Sequence, residues 1–300
     1  MKLLIIGPRQ SDSDEARVRS ALQTSAVEQY TVLTPSKEER NVVAVLRMLR
    51  ESRKLSFDTV SAQDPFWSGL IAWRVARRAK ARLNVQVHSD IGAQSFVRRV
   101  LAQLVLRHAD SIRVVSERIK RQVERIAAKA PVLVLPVFID VERFKHIERH
   151  PDGRTVLWAG RFEQEKNPFA AIEVIRDVPG AKLVMLGKGS LEAELKRRAE
   201  GLPVEFPGWQ DPVKYLARAS VVLNTSPAES FGASIVEALA AGVPVVSMDV
   251  GVAKEAGAIV VSRSELASGV IRVLELQPRG QLQIGLLDKE AWIKAWKASL

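Results

Sequence analysis

Residues 221–248 read VVLNTSPAESFGASIVEALAAGVPVVSM, and this stretch decides the fold. Val221, Val222 and Leu223 form a short apolar, mostly β-branched run, the pattern of a buried strand. Residues 224–230 are a polar loop containing Pro227, and residues 231–241 recur with helical spacing. Gly242 suits the helix C-cap, and residues 243–248 make a second buried strand. Strand, loop, helix and strand in this order build one unit of a parallel sheet. Such sheets bind ligands at the carboxyl ends of their strands.

Two carboxylates flank the loop-to-helix transition, Glu229 before the helix and Glu237 within it. At ~1.5 Å per residue, Glu237 is expected about 9 Å along the axis from Phe231. A helix start offers unbonded N–H groups and a partial positive charge, which suit a phosphate. One acid is thus placed beside a phosphate site and the other about a sugar's width away. Glu237 sits in an apolar setting, where an unpaired carboxylate costs several kcal/mol, so a partner is required.

The run from Glu229 through Phe231-Gly232-Ala233 and Glu237 to Ala241-Gly242-Val243-Pro244-Val245 resembles the donor-site signature of retaining glycosyltransferases of family 4. The resemblance is strong over residues 155–250 and weaker elsewhere. It implies a GT-B α/β fold, two Rossmann-like doubly wound domains facing each other across a cleft. It further implies donor contacts from Glu229, Glu237 and the backbone of Phe231, Gly232 and Ala233. Upstream, Gly160-Arg161 followed by Lys166-Asn167 matches a second family loop. A guanidinium and an ammonium on one loop can hold a diphosphate as fork and point charge. They act where negative charge grows as the glycosidic bond breaks. Gly187 and Gly189 form a turn expected to approach the ligand closely. Trp209 lies where this fold receives the nucleotide base. The loop at Val250-Gly251-Val252 has Val252 where the family usually carries a second glycine.

Three hundred residues, 47% of them hydrophobic, suggest two domains with ample core. The expected division is residues 1–148, 149–286 and a terminal helix, 287–300, that crosses back to the first domain. Cysteine is absent, which excludes disulfides, thiolate metal sites and a cysteine nucleophile. The first strand is too short for a signal peptide, and no run approaches the ~20 apolar residues that span a bilayer. The expectation is therefore a soluble, cytoplasmic protein, peripheral at the inner membrane face. Charge is lopsided: residues 1–150 carry 27 Lys and Arg against 16 Asp and Glu, whereas residues 151–300 carry 18 of each. The basic half is expected to meet something anionic, with a lipid surface or lipid-linked phosphate favoured. Nucleic acid is not expected, because the few aromatics are not interleaved with the arginines.

In that half, residues 94–108 have a helical apolar stripe of Phe96, Val97, Val100, Leu101, Leu104 and Val105. The expected reading is a core-packing helix, with membrane contact as the other possibility. His88, at a strand's end, matches a family histidine that lies near the transferred sugar. Asp90 and Arg9 are candidate acceptor contacts. The usual Gly-rich loop is replaced by Gly7-Pro8-Arg9, with one glycine. No Asp-x-Asp metal motif fits: Asp12-Ser13-Asp14 lies too near the start.

The resemblance thus implies retaining transfer from a UDP- or GDP-sugar to a hydroxyl acceptor, a lipid-linked or polysaccharide precursor of the cell envelope. Glu229, His88, Arg161 and Lys166 are the candidate catalytic residues. No cofactor and no metal are expected. A nucleotide-sugar epimerase of the same fold and a non-catalytic sugar-nucleotide binder are the alternatives.

Overall fold

Apolar runs rich in Val, Ile and Leu form two parallel sheets of six strands each in the computed structural model. The structure describes residues 1–7, 14–36, 39, 41–126 and 129–300. Two units result: Met1–Phe138 together with Leu287–Leu300, and Ile139–Leu286.

The first unit's strands are β1 (Lys2–Ile6), β2 (Gln29–Leu33), β3 (Thr59–Ala62), β4 (Arg82–Val87), β5 (Ser111–Val114) and β6 (Val132–Val134). Their spatial order is β2-β1-β3-β4-β5-β6. The connecting helices are α1 (Asp14–Ser25), α2 (Asn41–Glu51), α3 (Trp67–Ala79), α4 (Phe96–Leu106) and α5 (Glu117–Glu124).

The second unit contains α6 (Glu142–Lys145), β7 (Thr155–Ala159), α7 (Pro168–Arg176), β8 (Lys182–Leu186), α8 (Glu192–Arg198) and β9 (Val204–Gly208). It continues through α9 (Val213–Leu216), β10 (Val221–Asn224), α10 (Ala233–Ala240), β11 (Val245–Ser247), α11 (Ala253–Ala256), β12 (Ile259–Val260) and α12 (Leu266–Leu276). The sheet order is β12-β11-β10-β7-β8-β9, so the winding reverses between β7 and β10. That crevice is where doubly wound sheets take ligands.

The last helix, α13 (Lys289–Ala298), packs in the first unit. Trp292 and Trp296 are buried and stacked with centroids 6.4 Å apart, among Leu3, Ile5, Leu22 and Leu135. Trp292 Nε1 donates to the Pro136 carbonyl at 2.9 Å. A fully buried polar ladder lies beneath. Asn84 Nδ2 donates to the Ser299 carbonyl at 2.7 Å and to Ser111 Oγ at 3.0 Å. Arg113 donates to Gln86 Oε1 and to the Leu135 and Pro136 carbonyls at 2.8–3.0 Å. The partnered polar groups of this ladder tie the helix to one register.

The units divide at Phe138/Ile139, ten residues before the boundary expected at 148/149. Residues 145–153, expected as a polar linker, bond to the second unit. His150 N–H donates to the Ala217 carbonyl at 2.8 Å, and Arg149 donates to the carbonyls of Ala219 and Gly242. Phe144 is buried.

The expectation for α4 as a core-packing helix holds for one face only. Ala102, Val105 and Leu106 are buried, whereas Phe96, Val97, Val100 and Leu104 are exposed. Among the described residues, no helix is long and apolar enough to cross a membrane.

Candidate active site

β7 and β10 pair in parallel through Val156 with Val221 and Leu157 with Val222, which sets the loops after them side by side. From the first loop comes Lys166, from the second Glu229. Lys166 Nζ lies 2.5 Å from Glu229 Oε1, with the side chains 25% and 11% exposed. Arg161, on the same loop as Lys166, pairs with Glu165 through Nη2 and Oε1 at 2.7 Å on the solvent side. An exposed pair of this kind contributes little, so the guanidinium can exchange a carboxylate for a phosphate at small cost.

A buried hydroxyl clamps the two loops together. Thr225, just past β10, accepts from Trp158 Nε1 at 2.8 Å and faces the Lys166 and Asn167 carbonyls at 3.1 and 2.9 Å. Sequence reasoning passed over both residues; a Thr at a strand end beside a buried Trp was the available signal. Thr225→Val keeps the volume but strands a buried indole N–H. It should cost about 1–3 kcal/mol in urea unfolding of the second unit.

Gly187 and Gly189 have a protein neighbour that the sequence reading did not supply. A Cβ on Gly187 would sit 1.9 Å from the Gly160 carbonyl oxygen, and one on Gly189 would sit 2.4 Å from that of Phe162. The turn after β8 therefore lies directly on the Gly160–Phe162 backbone, with Phe162 N–H donating to the Lys188 carbonyl at 2.9 Å. These glycines shape the cation loop. Glu163 fastens its other end, accepting from Ser190 Oγ and N–H at 2.6 and 2.8 Å. Those two donors hold the Glu163 carboxyl below the usual range.

The helix expected from Phe231 begins at Ala233. Gly232 at φ +97° cannot continue a helix backwards, and Phe231 turns its side chain into the core. Glu237 is thereby one turn from the helix start, about 6 Å along the axis. It is half-buried on the face shared with Ala233.

Gly251 supports this entry. It adopts φ +53°, and a Cβ there would sit 2.2 Å from the Phe231 carbonyl oxygen and 3.0 Å from Glu229 Cβ. The Phe231 carbonyl accepts from Val252 N–H at 2.9 Å. Gly251→Ala must push the Phe231–Gly232 turn away. We expect a loss of about 2–4 kcal/mol, read by thermal unfolding of the second unit.

Trp209 follows β9 and is 53% exposed, a free indole face on the second unit. His88 and Asp90 belong to the first unit, just beyond β4. Asp90 is engaged within the first unit: Oδ1 accepts from Gln122 Nε2 of α5 at 3.0 Å and from Ala93 N–H of its own loop at 3.2 Å. Arg9, the other acceptor-side candidate, lies outside the described residues.

Comparison with known proteins gives matches on both units. The description "Glycosyl transferase 4-like domain" fits residues 5–137, and "Glycosyl transferases group 1" fits residues 153–276. A GDP-mannose-dependent alpha-(1-6)-phosphatidylinositol dimannoside mannosyltransferase of Mycobacterium tuberculosis is 28% identical over 53% of this chain. That alignment spans 47% of the mannosyltransferase, so the chain matches about half of that relative's length. The lipopolysaccharide core biosynthesis glycosyltransferase LpsE of Rhizobium meliloti is 28% identical over 76% of this chain and 72% of its own length. Among solved structures, Anabaena HepE in complex with UDP superposes with a TM-score of 0.72. It covers 100% of this chain and 94% of HepE at 16% identity, a likeness of fold. The paired α/β units are those of GT-B glycosyltransferases. With one family description on each unit and this architecture, the chain belongs to the glycosyl transferases of group 1.

Proposed function

We propose that the protein transfers a sugar, with retention, from a UDP- or GDP-sugar to a hydroxyl of a lipid-linked or polysaccharide precursor of the cell envelope. One observation carries the reading. Lys166 and Glu229 meet at 2.5 Å where the second sheet reverses its winding, beside the start of α10. In this reading the donor diphosphate takes Lys166 and Arg161 as counter-ions and the amides at the α10 start as donors. Glu237 accepts from the ribose hydroxyls. Glu229 exchanges Lys166 for hydroxyls of the sugar and orients it. Trp209 offers its exposed face to the base. His88, in the first unit, is the remaining catalytic candidate.

Chemically, the bond between the anomeric carbon and the phosphate oxygen breaks while the acceptor oxygen attacks the same face. The departing phosphate takes the acceptor's proton, so no covalent sugar–Glu229 adduct forms. Arg161 and Lys166 neutralise the leaving group in the role a divalent ion would fill. The support is chemical complementarity at one edge of one sheet, together with the names of the relatives. LpsE is named for lipopolysaccharide core biosynthesis and the mycobacterial enzyme for a phosphatidylinositol mannoside.

The test is a thermal-shift screen against UDP, GDP and their sugars, followed by product analysis with the best donor. A bound donor at 100 times its Kd stabilises by roughly 2.7 kcal/mol, an easily read shift. Transfer to an added acceptor, an unchanged anomeric configuration and undiminished rate in chelator are expected. Conversion of the donor without an acceptor would instead make the protein an epimerase.

A further inference from the structure

α4 carries two apolar faces. At 100° per residue, Ala102, Val105 and Leu106 fall on one side and are buried. Phe96, Val100 and Leu104 follow each other at i, i+4 on the opposite side, with Val97 beside them. These four are 72%, 46%, 39% and 60% exposed in that order. The inner face completes the core of the first unit, and the outer face has no role in it. Trp67 adds a fifth large apolar side chain, 58% exposed, where α3 begins. It follows Phe66, on whose ring the Arg98 guanidinium of α4 rests at 4.8 Å. The two helices pack closely: a Cβ on Gly69 of α3 would meet Val105 of α4 at 2.8 Å.

The charge around this face is predominantly positive: Asp64 and Asp110 flank the segment, each accepting a backbone N–H. Between residues 65 and 109 there are eight Lys and Arg, and Asp90 is the only acid. Arg74, Arg77, Arg99 and Arg107 are all exposed. Asp90 is already taken up by Gln122 and Ala93. A scattered exposed Leu needs no explanation, but an aromatic and aliphatic stripe within a predominantly cationic field does. The field excludes a basic partner and suits a surface that is anionic outside and apolar just below. Aromatic and aliphatic side chains enter the headgroup boundary while arginines bond the phosphates.

We propose that the outer face of α4, with Trp67, docks the first unit on an anionic phospholipid bilayer. The docking does not use the donor-site reading. α4 begins eight residues after His88, on the carboxyl edge of the first sheet. A bilayer held there brings headgroups to that edge; the further step, that they include the acceptor, does rest on the proposed function.

Vesicle co-sedimentation of the full chain tests it. The protein should pellet with phosphatidylcholine vesicles containing about 30 mol% phosphatidylglycerol, and release as salt rises. Pure phosphatidylcholine should retain little. The double substitution Phe96→Ser with Val97→Ser should weaken partitioning roughly tenfold or more. Arg99→Gln with Arg107→Gln should weaken it by about the same factor on anionic vesicles. All four residues are exposed, so circular dichroism should show both variants folded. Leu276→Ser, an exposed apolar position on α12, should bind like the parent. Absence of binding by the parent, or binding by the Phe96/Val97 variant equal to the parent's, would overturn the proposal. So would light scattering that finds a dimer abolished by those two substitutions, since the face would then belong to a second copy.

Discussion

Lys166→Met should lower sugar transfer by about 10²–10³-fold while the second unit stays folded. The loss has two sources under the proposed function. The diphosphate forfeits a cation at the moment its charge grows, and Glu229, only 11% exposed, is left beside an apolar stub. Glu229→Gln should cost a similar factor, because an amide orients sugar hydroxyls less firmly than a carboxylate. The two residues share one ion pair, so the double variant should fall well short of the product of the single losses. Steady-state rates with the best donor settle the matter. Near-parental turnover in either single variant would remove the pair from the chemistry. Calorimetry with the free nucleotide separates the roles: Lys166→Met should weaken it, and Glu229→Gln should hardly do so.

The second large effect concerns architecture. Trp296→Ala should destabilise the first unit by about 3–5 kcal/mol. The ring is fully buried and stacks on Trp292 within the cluster that includes Leu3 and Ile5 of β1. Because the two units need not melt together, hydrogen exchange resolved by segment is the right measurement. Amides of β1, β4 and β5 should lose protection, while those of β7 and β10 keep theirs. Equal protection in the variant would mean that α13 does not hold the first unit together.

Much of this architecture was written in the chain at short range. Strands β1, β7 and β8 lie where the apolar runs place them, because buried parallel strands read as continuous hydrophobic segments. The start of α10 was misjudged by two residues, since Gly232 takes a left-handed turn that periodicity cannot register. α8 was missed: only Leu195 of its seven residues is buried, and its signal lay in the pairs Glu192–Lys196 and Glu194–Arg198. At the site, Lys166 and Glu229 stand 63 positions apart, and their meeting depends on β7 lying beside β10. Family resemblance named both, and topology supplied the 2.5 Å. Thr225, Trp158 and the clash partners of Gly187 and Gly251 are matters of tertiary contact, invisible to spacing alone. α4 shows the opposite failure. An apolar stripe announces that a face wants covering, but it does not say by what.

The return of α13 to the first unit also sets a timetable for biosynthesis. Residues 1–138 leave the ribosome long before the two tryptophans that seal them, whereas residues 139–286 are contiguous and complete when they emerge. The later half of the chain is thus free to reach its native form first. The earlier half meanwhile waits with the Leu3–Ile5 face of β1 uncovered. A nascent chain stalled near residue 286 should therefore recruit chaperones through its amino-terminal portion, and release them once the final fourteen residues arrive.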